Sequence, residues 1–166
     1  MLWLPFDRLT LVTARSHAET IAVLNEATGE LRLNLFGPSS EKPFIGEIHG
    51  ARSQIRRDIN YRNSFLPVIS GEFEAQGPHV LIHLRMRMIV FTMIFMAFWM
   101  IITLPLASIS LLSLLGKSFF EAKVELIALA FPIFGYLLCM CGFHYERRKS
   151  IRALKELLSA TELPRG

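Results

Sequence analysis

The sharpest pattern in the chain is a two-residue alternation over 79–88. Val80, Ile82, Leu84, Met86 and Met88 fall on one side, and His79, Leu81, His83, Arg85 and Arg87 on the other. That period predicts a half-buried strand. A weaker alternation over 44–61 predicts two strands joined near Gly50, with Ser53, Ile55, Arg57, Ile59 and Tyr61 sharing one face of the second. Residues 65–75 predict another strand, which Pro67, unable to donate to a ladder, places at an edge of the sheet or starts, and which carries Gly71 as a candidate bulge. Gln76-Gly77-Pro78 predicts a turn, and residues 9–14 a short strand. Between that short strand and the turn-rich loop 34–43, Ser16 and Glu19 form a capping-box pair at the head of a helix, with Gly29 as its stop.

The pattern then loses its polar half. Residues 88–115 form 28 consecutive positions without Asp, Glu, Lys or Arg, and residues 126–143 form 18 more. About 20 apolar residues in a helix cross a bilayer core. The alternative, two buried helices of a soluble core, would keep a polar stripe. In 88–115 the Thr and Ser positions point all ways round, so membrane spans are expected at about 88–112 and 125–144. After them, Ile151, Leu154, Leu158 and Leu157 form an apolar stripe within a basic surround, an amphipathic helix that either lies on a leaflet or covers the sheet; the apolar sheet face needs a cover, which favours the second.

The expected fold class is therefore α+β: a small antiparallel sheet with a flanking helix, then a transmembrane helical hairpin, then a C-terminal amphipathic helix. The corresponding division is 1–87, 88–143 and 144–166. The strand over 79–88 runs into the first span with little room for a linker, so the sheet is coupled closely to the membrane helix.

Composition agrees. Hydrophobic residues make up 52% and charged residues 19%, below the roughly 25% charged share of soluble domains. The N-terminal run lacks the basic first segment of a cleavable signal, so the first span is expected to direct insertion. Arg85 and Arg87 before the first span, and Arg147, Arg148 and Lys149 after the second, predict both termini in the cytoplasm. The basic excess clusters beside the spans, which topology explains better than a nucleic-acid partner does. Expected partners are the lipid bilayer and another membrane or cytoplasmic protein, or a second copy.

Chemistry is sparse. Cys139 and Cys141 point about 200° apart on a helix and cannot share a metal. His79 and His83 are about 13 Å apart on a strand, while His49 and His83 could meet across strands. No HExxH, CxxC, GxSxG or P-loop string occurs. No cofactor, metal or catalytic residue is assigned. Candidates for binding a ligand or lipid are Arg57, Tyr61, Arg62, Asn63, His83, Arg85 and Arg87, with Arg147, Arg148 and Lys149 at the membrane surface. Asn63 and Ser64 can close a turn through side-chain hydrogen bonds. The expected function is a membrane-anchored cytoplasmic binding module. The alternatives are an enzyme acting at the cytoplasmic leaflet, near Arg57, Arg62, His83, Arg85 and Arg87, and an effector that perturbs the bilayer.

The run "PFIGEIHGARSQIRRDINYRNSFLPVISGEFE", ahead of a strand, an apolar hairpin and a basic tail, resembles a group of uncharacterised bacterial two-span membrane proteins with an F-x-G-x-I … YRNSFLP-x-I-x-G pattern. The resemblance covers about residues 43–99. It implies a bacterial inner-membrane protein and implies no activity.

Overall fold

Alternating side chains build a sheet with one dry face. In a computed structural model that describes residues 4–30, 42–59, 63–114 and 123–164, the elements follow in the order β1 (Phe6–Thr13), α1 (His17–Glu26), β2 (Thr28–Gly29), β3 (Phe44–His49), β4 (Arg52–Arg57), β5 (Val68–Gln76), β6 (His79–Arg87), α2 (Val90–Ser113), α3 (Lys123–Leu158) and β7 (Thr161–Glu162). The chain divides into two compact units. Unit 1 is Met1–Ile89 with Phe143–Gly166, and unit 2 is Val90–Gly142.

Unit 1 is an α+β layer pair. Its seven strands run in the order β2-β3-β4-β5-β6-β1-β7. The sheet is mixed, because β2 pairs with β3 in parallel, whereas a purely antiparallel sheet was expected. The parallel pair arises where α1 ends. Ala27 caps the helix, the chain turns at once into a two-residue strand, and Phe44 N–H donates to Ala27 C=O. Gly29 therefore lies in β2 and does not stop the helix. The predicted loop 34–43 lies largely outside the described residues.

The dry face is continuous across the centre of the sheet. Leu9 and Leu11 of β1 stand opposite Leu84 and Ile82 of β6, and Ile69 and Phe73 of β5 stand opposite Met86 and Ile82. All six are buried. Two helices cover this face. Helix α1 contributes buried Thr20 and Leu24, and the His17 ring meets Phe73 edge-on. The last part of α3 contributes Phe143, Ile151, Leu154 and Leu158, all buried, while the Thr13 hydroxyl donates to the Leu158 carbonyl at 2.8 Å. Of the two roles open to the basic helix, it takes the sheet cover. Apolar burial of this kind stabilises the docked helix by about 25 cal/mol per Å² of surface removed from water.

Two local expectations change. Gly71 is in register with Ser53 on one side and Leu84 on the other, with no extra residue. It is not a bulge; a Cβ there would come within 2.7 Å of Ser53 Oγ, so the small residue serves close approach. Strand β5 starts just after Pro67 but lies between β4 and β6, inside the sheet. Gly77 and Pro78 form the two-residue link between β5 and β6, with Gly77 at φ 60°, where an L side chain is strained.

Unit 2 holds α2 and the first part of α3. Both helices are long and apolar enough to cross a membrane, with mean hydropathy 2.2 over an 18-residue stretch of each. Only 17% and 22% of their most apolar stretches are buried. Their mutual contact uses small and aromatic residues. Trp99 of α2 lies over Phe131 of α3 with ring centroids 4.6 Å apart, and a Cβ on Gly135 would come within 2.6 Å of Trp99 Nε1. Helix α3 is unbroken through Phe143, so the expected second span and the expected tail helix are one element of 36 residues.

Candidate functional site

The wet face of the unit 1 sheet is ordered by its register into rows. One row reads Thr10 (β1), His83 (β6), Glu72 (β5) and Arg52 (β4). Its charges are matched: Arg52 Nε is 3.7 Å from Glu72, and His83 bridges Thr10 Oγ1 at 3.1 Å and Glu74 at 3.3 Å. The next row reads Arg8, Arg85, Ser70, Gln54 and Glu47, its one carboxylate standing three strands from Arg85 and 3.2 Å from His49. The row beyond it, at the end from which the chain leaves for α2, reads Phe6, Arg87 and Val68. Two exposed arginines, Arg8 and Arg85, thus stand directly opposite one another on adjacent strands. Among the described residues neither they nor Arg87 form an ion pair; the Arg8 guanidinium rests over the Phe6 ring at 5.0 Å. Like charges directly opposite in a sheet are unfavourable. A groove of about 560 Å³ lies over this part of the face, lined by Arg8, Thr10, Glu72, His83 and Arg85 together with Leu163 and Pro164.

A second polar cluster sits on the opposite, helix-covered face. Arg57 Nη1 donates to Glu146 Oε2 at 3.1 Å, and Asn63 Nδ2 donates to Glu146 Oε1 at 2.9 Å. Asn63 Oδ1 accepts from the Phe65 N–H at 3.0 Å, closing the side-chain turn expected there. Arg147 donates to the Asp7 carboxylate close by. These pairs tie α3 to β1 and β4 and to the segment before β5.

The structure thus separates candidates that the sequence grouped. Arg57 and Asn63 are brought together by Glu146 under the helix. His83, Arg85 and Arg87 lie on the other face. Tyr61 and Arg62 lie outside the described residues. Of the three residues assigned to a membrane surface, Arg147 is turned to Asp7, Arg148 is exposed, and Lys149 Nζ lies 4.4 Å from the Tyr145 ring centroid. His49 on β3 and His83 on β6 have two strands between them and do not meet.

Three residues of these clusters escaped the sequence reading: Arg8, Asp7 and Glu146. Glu146 had a signal. Counting back from Leu158 and Leu154 in fours reaches Ser150 and Glu146, both fully buried; a carboxylate on an apolar stripe requires a partner. Arg8 had none, because nothing local says that β1 lies beside β6. Among the described residues no group of three His, Cys, Asp or Glu side chains is placed to hold a metal. No protein-family model, curated protein or solved structure matches this chain.

Proposed function

We propose that the chain is a membrane-anchored binding module of a bacterial inner membrane. Unit 2 crosses the bilayer as a helical hairpin, and unit 1 is cytoplasmic and presents the arginine-bearing face of its sheet to a ligand. The observation that carries this reading is the apolar surface of α2 and α3. Phe91, Ile94, Phe98, Ile101, Ile109 and Leu112 of α2 are all exposed, as are Ile127, Ile133 and Phe134 of α3. A core helix of a soluble protein buries such residues; a spanning helix turns them to lipid. Arg85 and Arg87 ahead of α2, and Arg147, Arg148 and Lys149 in α3, supply the positive flanks that favour the cytoplasmic side. The link between sheet and span is two residues, Met88 and Ile89.

Alkaline carbonate extraction of membranes, with reporters fused to each end, tests the reading. The chain is expected in the membrane pellet, with both reporters active in the cytoplasm. Release into the supernatant, or a periplasmic signal from either end, overturns it.

A further inference from the structure

The uncompensated Arg8–Arg85 pair has a chemical meaning. On adjacent antiparallel strands, directly opposite residues have Cα atoms about 4.5–5.5 Å apart and side chains on the same face. Both arginines are exposed, and the nearest members of their row are Ser70 and Gln54; its one acid, Glu47, lies three strands from Arg85 and meets His49. The nearest carboxylates have cationic or imidazole partners of their own: Glu72, at the groove wall in the neighbouring row, lies 3.7 Å from Arg52, and Glu74, one row further on, lies 3.3 Å from His83. Two guanidinium forks side by side match an anion with several oxygens, which can accept two parallel hydrogen bonds from each.

We propose that the groove over Arg8 and Arg85 is a phosphate site, in which the two guanidiniums clamp the phosphate group of a lipid headgroup or of a small phosphate ester. This gives a chemistry to the ligand of the reading above and rests on it only for the lipid source. An anion between the arginines turns their mutual repulsion into a shared attraction, and the groove volume of about 560 Å³ admits a phosphate with its organic substituent. The apolar rim is placed for such a substituent. Leu163 walls the groove, and the exposed Phe6 stands in register with Arg87 at one end of the face.

The test uses the full chain. In neutral detergent at fixed ionic strength, inorganic phosphate in place of chloride is expected to raise the thermal midpoint. Arg8→Gln and Arg85→Gln are expected each to weaken phosphate binding, read by calorimetry, about tenfold. Arg148→Gln, exposed on α3 outside the groove, keeps it. Arg85→Lys, which retains the charge but not the fork, gives an intermediate loss and serves if a glutamine variant does not fold. In vesicles of phosphatidylcholine with and without phosphatidylglycerol, stabilisation that needs Arg8 and Arg85 identifies a headgroup. A response to phosphate without one to phosphatidylglycerol identifies a soluble ester. No response in either arm, or responses that survive both glutamine substitutions, overturns the site. A chain that leaves membranes under carbonate yet keeps the phosphate response loses the anchor and retains the site; the reverse result separates them equally.

Discussion

The Glu146 carboxylate lies 3.1 Å from Arg57 Nη1, and the two side chains are 1% and 19% exposed. One belongs to α3 and the other to β4, so their pairing fastens the covering helix to the sheet. A buried carboxylate is tolerated only when hydrogen-bonded and paired, and here Asn63 supplies a further donor. Removing the acid strands the arginine, which retains partial access to water. Glu146→Ala is therefore expected to cost about 3 kcal/mol, the low end for breaking a buried pair. Replacing both partners, as Arg57→Met with Glu146→Leu, is expected to recover most of that loss. Chemical unfolding in neutral detergent, followed by far-ultraviolet circular dichroism, measures both.

The apolar stripe of the same helix makes a sharper contrast. Leu154 is 1% exposed and Leu157 only partly buried. Leu154→Ala leaves a cavity and is expected to destabilise unit 1 by about 3 kcal/mol. Leu157→Ala is expected to change it by less than about 1 kcal/mol. Equal effects in unfolding experiments would contradict the assignment of the sheet-facing side.

The α1 cap carries a pH dependence of known sign. The Ser16 backbone N–H donates to the Glu19 carboxylate at 2.9 Å, and this bond, with the Ser16 hydroxyl and nearby Arg15, holds the Glu19 carboxyl below its ordinary value. A depressed carboxyl contributes stability above its unfolded value and loses it as pH falls through its folded value. The cap is thus complete at neutral pH and opens only in acid below the usual glutamate range. Carbonyl-carbon NMR should place the Glu19 midpoint lower in the native chain than in the unfolded one, and Ser16→Ala should raise it toward normal.

Within unit 2 the contact of the helices depends on one missing side chain. Trp99 packs where a Cβ on Gly135 would come within 2.6 Å of its Nε1. Small residues let apolar helices approach closely. Gly135→Val is expected to displace the indole, shift its emission and lower the thermal midpoint, and Trp99→Leu is expected to restore part of the loss. Emission is read in a Trp3→Phe background, since the chain holds two tryptophans.

The sequence by itself determined what is written in local period. The strand over β6, the hairpin across Gly50, the capping box and both apolar helices follow from one-dimensional alternation, a side-chain hydrogen bond or an uninterrupted run, and each needs only its neighbours in the chain. Strands β2 and β7 have two residues each and carry no period, so no pattern could announce them. The unbroken course of α3 was hidden by its change of composition, since charge begins at Glu146 while the helical stripe continues beneath. Tertiary structure alone decided which charges meet. Arg8 and Arg85 are opposite because β1 inserts beside β6, and Arg57 meets Glu146 because α3 lies over β4. Both pairings join residues more than seventy positions apart, where local periodicity carries no information and only burial of the shared apolar face selects the partner.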